Sequence, residues 1–489
     1  MSAAVYRHPA LRAWPIFPSD AKPLALWSAR EIADATGGIA SDDFEVSGID
    51  TDSRDIRYGD LFVALKGETM DGHDFLEKAF ANGATAALVD RPVPYPHIRV
   101  ADTTAALHAL AECARERAGA TVVGVTGSVG KTGVKEAIFA ALERSSRGRT
   151  HRSIRSYNNH VGVPLSLARM PARSRYGVFE MGMNHAGEIA ELTSRVRPHV
   201  AVITTIAPAH IENLGSMEAI ADAKAEIFQG VVRGGTAVIP ADSEHFQRLR
   251  DHAERQGLAV VSFGRSREAT VRLLDAIPSA NGGSLVTCEF PEGRMCFTVA
   301  EPGQHWIDNA LAVMASVRAC KGDMAAAGLA LAEMGGLKGR GARHRIAASG
   351  GKAQLIDESY NANPASMRAT LSQLGSTPAM RRIAVLGSMK ELGDFSDRFH
   401  EALIEPIVRA EADHVVLVGD EMAALAREMG KAQAGTLGFA GTFTHCDDAG
   451  GAIAALEEYG VVSGDVILVK GSNSVGLARV VDHYTRRNG

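Results

Sequence analysis

The chain has 489 residues, 46% hydrophobic and 22% charged, an ordinary globular balance for about three domains. A net charge of −5 argues against a dedicated nucleic-acid binder, and no apolar run is long enough to span a bilayer. Five scattered cysteines with no Cys-x-x-Cys fit a reducing cytoplasm better than a disulfide framework or a zinc site.

The first residues carry Pro9, Pro15, Pro18 and Pro23 among charges and aromatics. They read as an extension over 1–23, neither signal peptide nor transit peptide. Residues 24–105 read as a small α/β unit. Ser28 caps a short helix, strands follow at 44–49, 60–65 and 86–89, a helix covers 73–82, and 91–96 is a proline-rich loop. From 106 to 337 strands at 121–126, 176–181, 200–206, 236–239 and 259–263 alternate with helical patterns. Such alternation predicts a mostly parallel sheet covered on both faces. Residues 284–299 form a hairpin about Pro291-Glu292-Gly293. After a linker at 337–341, strands at 353–357, 383–387, 414–418 and 466–469 predict a second doubly wound unit. The expected fold is α/β in three domains. These are a small N-terminal domain (1–105), a central phosphate-loop domain with a mostly parallel sheet (106–338) and a Rossmann-like C-terminal domain (339–489).

The most informative stretch is Thr126-Gly127-Ser128-Val129-Gly130-Lys131-Thr132. It follows a β-branched strand and opens a helix whose stripe is Val134, Ala137, Ile138, Ala141 and Leu142. Glycines let the backbone turn tightly and aim N–H groups inward, and the helix N-terminus adds partial positive charge. Lys131 would reach the terminal phosphates of a nucleoside triphosphate, and the Thr132 hydroxyl would hold Mg²⁺. The usual pattern has glycine where Val125 stands, so the loop is the shorter Gly-x-x-Gly-Lys-Thr. A simple β–α turn would share part of this pattern.

Glu180 and His210 follow strands whose C-terminal ends share a rim with this loop, so they and Thr132 can converge as ligands for a divalent cation. Taken singly, either is equally well a polar loop residue. Lys224 lies on an apolar stripe with Ile220, Ile227, Phe228 and Val231 in a helix read over 217–231. Burial there favours the neutral amine, which can take up CO₂ as a metal-ligating carbamate. A lysine snorkelling to the rim would show the same periodicity. Asn309, four residues after His305 at a helix start, could read an adenine edge. Asp357, Tyr360 and Asn361 line the mouth of a second crevice, beside Asn363 as N-cap and Pro364 at the first helical position. Lys470 and the turn after it suit a carboxylate or phosphate.

These stretches together resemble the Mur ligases over nearly the whole chain. The resemblance is carried by Asp52-Ser53-Arg54, the run from Gly59 to Gly67, Asp71-Gly72-His73, the Gly127 loop and Tyr157-Asn158-Asn159-His160. It continues through Gly182-Met183-Asn184-His185, Ala209-His210-Ile211-Glu212, Lys224-Ala225-Glu226 and Tyr360-Asn361-Ala362-Asn363-Pro364. It implies an ATP-dependent amide ligase of cytoplasmic peptidoglycan precursor synthesis that joins D-Ala-D-Ala to UDP-MurNAc-tripeptide through an acyl phosphate. Two Mg²⁺ sites are implied, held by Thr132, Glu180, His210 and carbamylated Lys224. Lys131, Glu180, His210 and Lys224 are the implied catalytic set. The resemblance puts Gly127, Ser128, Val129, Gly130, Lys131, Thr132, Asn309, Asp357 and Tyr360 at ATP, with Arg343 or Arg340 at the phosphates. It puts Ser53, Arg54, Asn158, Asn159, Asn361 and Lys470 at the other substrates. A monomer without nucleic-acid or membrane partners is expected. The alternatives are a sibling ligase adding a single amino acid, whose Asp-Asn-Pro-Arg signature is absent here, and an inactive nucleotide-binding regulator.

Overall fold

The computed structural model describes residues 25–67, 69–154, 156–279, 282–433 and 438–486. The extension over 1–23 lies outside them. The chain forms two compact units, Met1–Cys113 and Ala114–Gly489.

In the first unit a five-stranded sheet has the order Ile39–Ala40, His97–Arg99, Ala86–Val89, Asp60–Val63, Gly48–Asp50, with all neighbours parallel except the first pair. Ser28 caps the helix Ala29–Thr36, and Glu31 completes a capping box. The strand expected at 44–49 is two. Glu45–Val46 pairs with Trp27–Ser28, and Gly48–Asp50 joins the larger sheet. Gly48 allows this switch, since a Cβ there would stand 2.2 Å from Asp60 Oδ1.

The second unit holds two sheets. The nine-stranded one has the order Gly293–Val299, Ser284–Phe290, Val271–Pro278, Ala259–Gly264, Thr236–Pro240, Val200–Ile203, Thr121–Thr126, Tyr176–Glu180, Thr150–Arg152. It is parallel from Thr150–Arg152 to Val271–Pro278 and antiparallel beyond. Val123, Val125 and Val202 pack against Val134, Ile138 and Leu142 of the helix Lys131–Ser146 and against Leu311 and Met314 of the helix Gln304–Ala319. Each such side chain, fully buried, stabilises by roughly 1.5–3 kcal/mol. The six-stranded sheet runs Ala342–Ala348, Gly351–Glu358, Asp465–Lys470, Arg381–Gly387, His414–Val418, Thr442–Cys446, antiparallel only at its first pair.

The hairpin about Pro291 closes with Phe290 opposite Gly293, as the turn residues predict. The helix read over 217–231 ends earlier. Met217–Ala225 is α-helical, and Glu226–Gly230 tightens to a 3₁₀ turn. Its apolar stripe survives the change. The linker at 337–341 is short and pinned: Gly339 N–H donates to Asp357 Oδ2 at 2.8 Å and Gly341 N–H to Asp357 O at 2.9 Å.

Candidate active site

The phosphate loop leaves the strand Thr121–Thr126 at the C-terminal rim of the nine-stranded sheet. Gly127 (φ +143°) and Gly130 (φ +85°) hold conformations that side chains resist. The turn is tied to its neighbour strand's exit: Ser128 N–H donates to Thr205 O at 2.9 Å and Thr204 Oγ1–H to Val129 O at 2.5 Å. A Cβ at Gly130 would stand 2.7 Å from Asn309 Oδ1, so Asn309 abuts the loop. Lys131 folds its ammonium onto Gly127 O at 2.7 Å, and burial lowers its pKa.

Glu180 ends the next strand and is 1% exposed. One of its oxygens accepts from Thr132 Oγ1 and the other from Asn158 Nδ2, both at 2.8 Å. Thr132, Glu180 and Asn158 thus form one polar knot beneath the loop. Asn159 is not part of it. Its side chain accepts from Gly162 N–H at 2.9 Å, at the start of the helix Gly162–Ala168.

His210 lies beyond the strand Val200–Ile203 in a left-handed conformation (φ +58°), and its Nδ1 is against Glu391 Oε2 of the six-stranded half. Lys224 is 0% exposed, and its Nζ has no hydrogen-bond partner. Burial, with the charge of Lys131 adding to it, pushes its pKa well below the ordinary lysine value. Among the described residues no group of three or more His, Cys, Asp or Glu side chains has a metal-site arrangement. The expected donor set, Thr132, Glu180, His210 and carbamylated Lys224, holds only two such side chains and adds a hydroxyl and a carbamate to them.

The six-stranded sheet contributes a second rim. Asp357 is buried, and its carboxylate accepts from Gly339 N–H, Ser359 N–H and Ser359 Oγ. It fixes the turn and does not itself line the cavity. Arg340 donates to Ser156 Oγ at 3.2 Å and stands 4.2 Å over the Tyr360 ring. Lys470, 1% exposed, donates to Asn361 O at 2.9 Å and lies 3.5 Å from Glu358 Oε2. Burial raises the Glu358 pKa and lowers that of Lys470. A cavity of about 680 Å³ joins the rims, with Lys131, Glu180, His210, Asn309, Arg340, Tyr360, Asn361 and Lys470 all on its wall. Arg343 is not on that wall. It sits on the strand Ala342–Ala348, where Glu301 is its nearby opposite charge, whereas Arg340 is on the wall.

Three Mur ligase models match the chain: "Mur ligase family, catalytic domain" over 45–125, "Mur ligase middle domain" over 125–317 and "Mur ligase, glutamate ligase domain" over 342–473. The UDP-N-acetylmuramoyl-tripeptide–D-alanyl-D-alanine ligase of Escherichia coli is 35% identical over 91% of this chain and 95% of its own. The chain belongs to the Mur ligase family. The structure is also similar to MurF from Acinetobacter baumannii, with a TM-score of 0.80 and 29% identity over 95% of this chain and 100% of the other. MurF from Thermotoga maritima, solved with ADP, gives a TM-score of 0.71 and 27% identity over 90% and 97% of the two chains.

In the first unit of this Mur ligase, Arg54 is exposed and forks onto Asp52, holding the Asp52 carboxyl down at about 2. Ser53 is buried, and its carbonyl accepts from Asn82 Nδ2 at 2.7 Å. Sequence reasoning passed over Ser156, Glu358 and Glu391 as site residues. Glu358 was the most accessible to it, because it is the strand residue next to Asp357. Ser156 and Glu391 gain meaning only from partners far away in the chain. None of the described helices is long and apolar enough to cross a membrane.

Proposed function

We propose that this Mur ligase joins D-Ala-D-Ala to UDP-MurNAc-tripeptide, converting ATP to ADP and phosphate, in the cytoplasmic assembly of cell-wall precursors. One observation carries the reading. The phosphate loop, the Glu180 knot, the turn after Asp357 and Lys470 open on one cavity, in a chain 35% identical over most of its length to a ligase named for this reaction.

A carboxylate does not condense with an amine in water, because its leaving group is poor. A tripeptide carboxylate oxygen attacks the γ-phosphorus, and the bridging P–O bond breaks toward ADP. The dipeptide nitrogen then attacks the acyl carbon, the bond to phosphate breaks, and the amine loses its proton. The loop amides and Lys131 grip the phosphates, and Arg340 faces them from the opposite rim. Tyr360 and Asn309 flank the nucleotide, while Asn361 and Lys470 serve the incoming dipeptide. Ser53 and Arg54 take the UDP end. Asp357 holds the turn rather than the ligand.

Mg²⁺ supplies the charge that neutralises the transferring phosphoryl group. The residues fit it. Thr132 and Glu180 offer hard oxygens, His210 offers a ring nitrogen, and the buried, unpartnered Lys224 amine is suited to carbamylation, which would give two more oxygens. The division into 1–105 for the UDP end, 106–338 for ATP and 339–489 for closure belongs to the same reading, as does a monomer. It is supported by the three larger sheets and the three matched family segments.

The test is ADP release with ATP, Mg²⁺, UDP-MurNAc-tripeptide and a panel of dipeptides and amino acids, with the products weighed. ADP release that requires both the tripeptide and D-Ala-D-Ala is expected. Release supported by single amino acids in place of the dipeptide would overturn the reading.

A further inference from the structure

His210 and Glu391 meet across the two halves of the second unit. Both are non-glycine residues in the left-handed region, at φ +58° and +62°. Such backbone is costly and persists where the surroundings impose it. The surroundings here are apolar: Ile211 and Ile220 from the nine-stranded half share one buried cluster with Met389 and Leu392 from the six-stranded half. Gly393 packs on Glu212, because a Cβ at 393 would stand 2.9 Å from Glu212 Cγ. The contact of Glu391 with His210 Nδ1, close in distance but without hydrogen-bond alignment, is therefore the polar centre of a packed seam. A small rotation of either group aligns the carboxylate on Nδ1–H, which leaves the Nε2 lone pair for a cation.

We propose that Glu391 is a positioning residue for His210: it orients the imidazole from the opposite half and thereby couples cation binding to docking of the C-terminal sheet. The inference rests on the reading of His210 as a cation ligand. A carboxylate behind a ligating histidine strengthens it as a donor, and losing such a partner weakens metal affinity by about 10- to 100-fold. Glu391 acts only through His210, so its loss has no further effect once the imidazole is gone.

The experiment titrates Mn²⁺ into the full chain with a non-hydrolysable ATP analogue and reads free Mn²⁺ by electron paramagnetic resonance. The proteins are wild type, Glu391→Gln, Glu391→Ala, His210→Ala and both double variants. The Glu391 side chain is about half exposed, and the glutamine keeps its volume, so a folded protein remains to be measured if the alanine variant is lost. Expected are a weakening of at least about 10-fold in Glu391→Ala, a smaller one in Glu391→Gln, and no added loss in the His210→Ala background. Wild-type affinity in the Glu391 variants, or an equal loss with and without His210, overturns the proposal. Wild-type affinity in His210→Ala alone overturns the ligand reading instead, which keeps the two failures distinct.

Discussion

Lys224 and Lys470 are both fully buried, yet their surroundings differ in kind. Lys470 is answered by Asn361 O and Glu358, while Lys224 has no hydrogen-bond partner at all. A buried lysine with partners is held in place by them and is costly to remove. One without them destabilises the fold as it stands, so its presence points to chemistry performed on the amine.

The strongest way to break this comparison is at Lys224. Lys224→Ala should lower kcat/KM on the order of 10²–10³-fold, and short-chain carboxylic acids should restore part of it. Lys224→Met should lose activity alike while leaving the midpoint of chemical unfolding unchanged or raised, because no buried bond is lost. Near-full activity in either variant without added acid would sink the carbamate reading. Lys470→Met should do the reverse to stability. It removes the cation closest to the buried Glu358 carboxyl, leaving only the Arg340 charge to oppose its burial, and should destabilise by about 3–5 kcal/mol, measured by urea unfolding at neutral pH.

A third buried charge sharpens the contrast. Glu301 is 7% exposed, and one of its oxygens has no partner. Burial pushes its carboxyl from the ordinary 4.5 up to about 7, opposed by Arg343 and reinforced by Glu358. The folded chain then keeps a proton that the unfolded chain releases across that window. Its contribution is fully present below 4.5 and is lost as pH rises through about 7, a change of about 3 kcal/mol. Glu301→Gln should flatten this pH dependence and be the more stable protein at pH 8. The smallest effect should fall on the arginine away from the cavity. Arg343→Ala should leave the KM for ATP within about threefold, whereas Arg340→Ala should reduce kcat/KM about 10²-fold.

Much of the scaffold was legible in the sequence where burial on both faces leaves an unbroken β-branched run. His414–Val418 and Thr121–Thr126 have the bounds that such runs predict. Thr150–Arg152 and Ala342–Ala348 were missed because edge strands carry charged and small residues in place of that run. The apolar stripe around Lys224 was visible in the sequence, but its burial was not decided there, because a lysine snorkelling to the rim has the same periodicity. Arg340 and Arg343 could not be separated, because three residues at a glycine-bounded turn decide which one faces the cavity. Glu301 and Glu391 carried no local signal, since their roles depend on groups brought close only by folding.

The knot at Glu180 has a consequence for ligand loading. Both of its oxygens already hold a donor, the Thr132 hydroxyl on one and the Asn158 amide on the other. A carboxylate offers about four acceptor positions, so a divalent ion arriving there shares Glu180 with these donors. The hydroxyl and the amide thereby fix the direction from which an ion can approach.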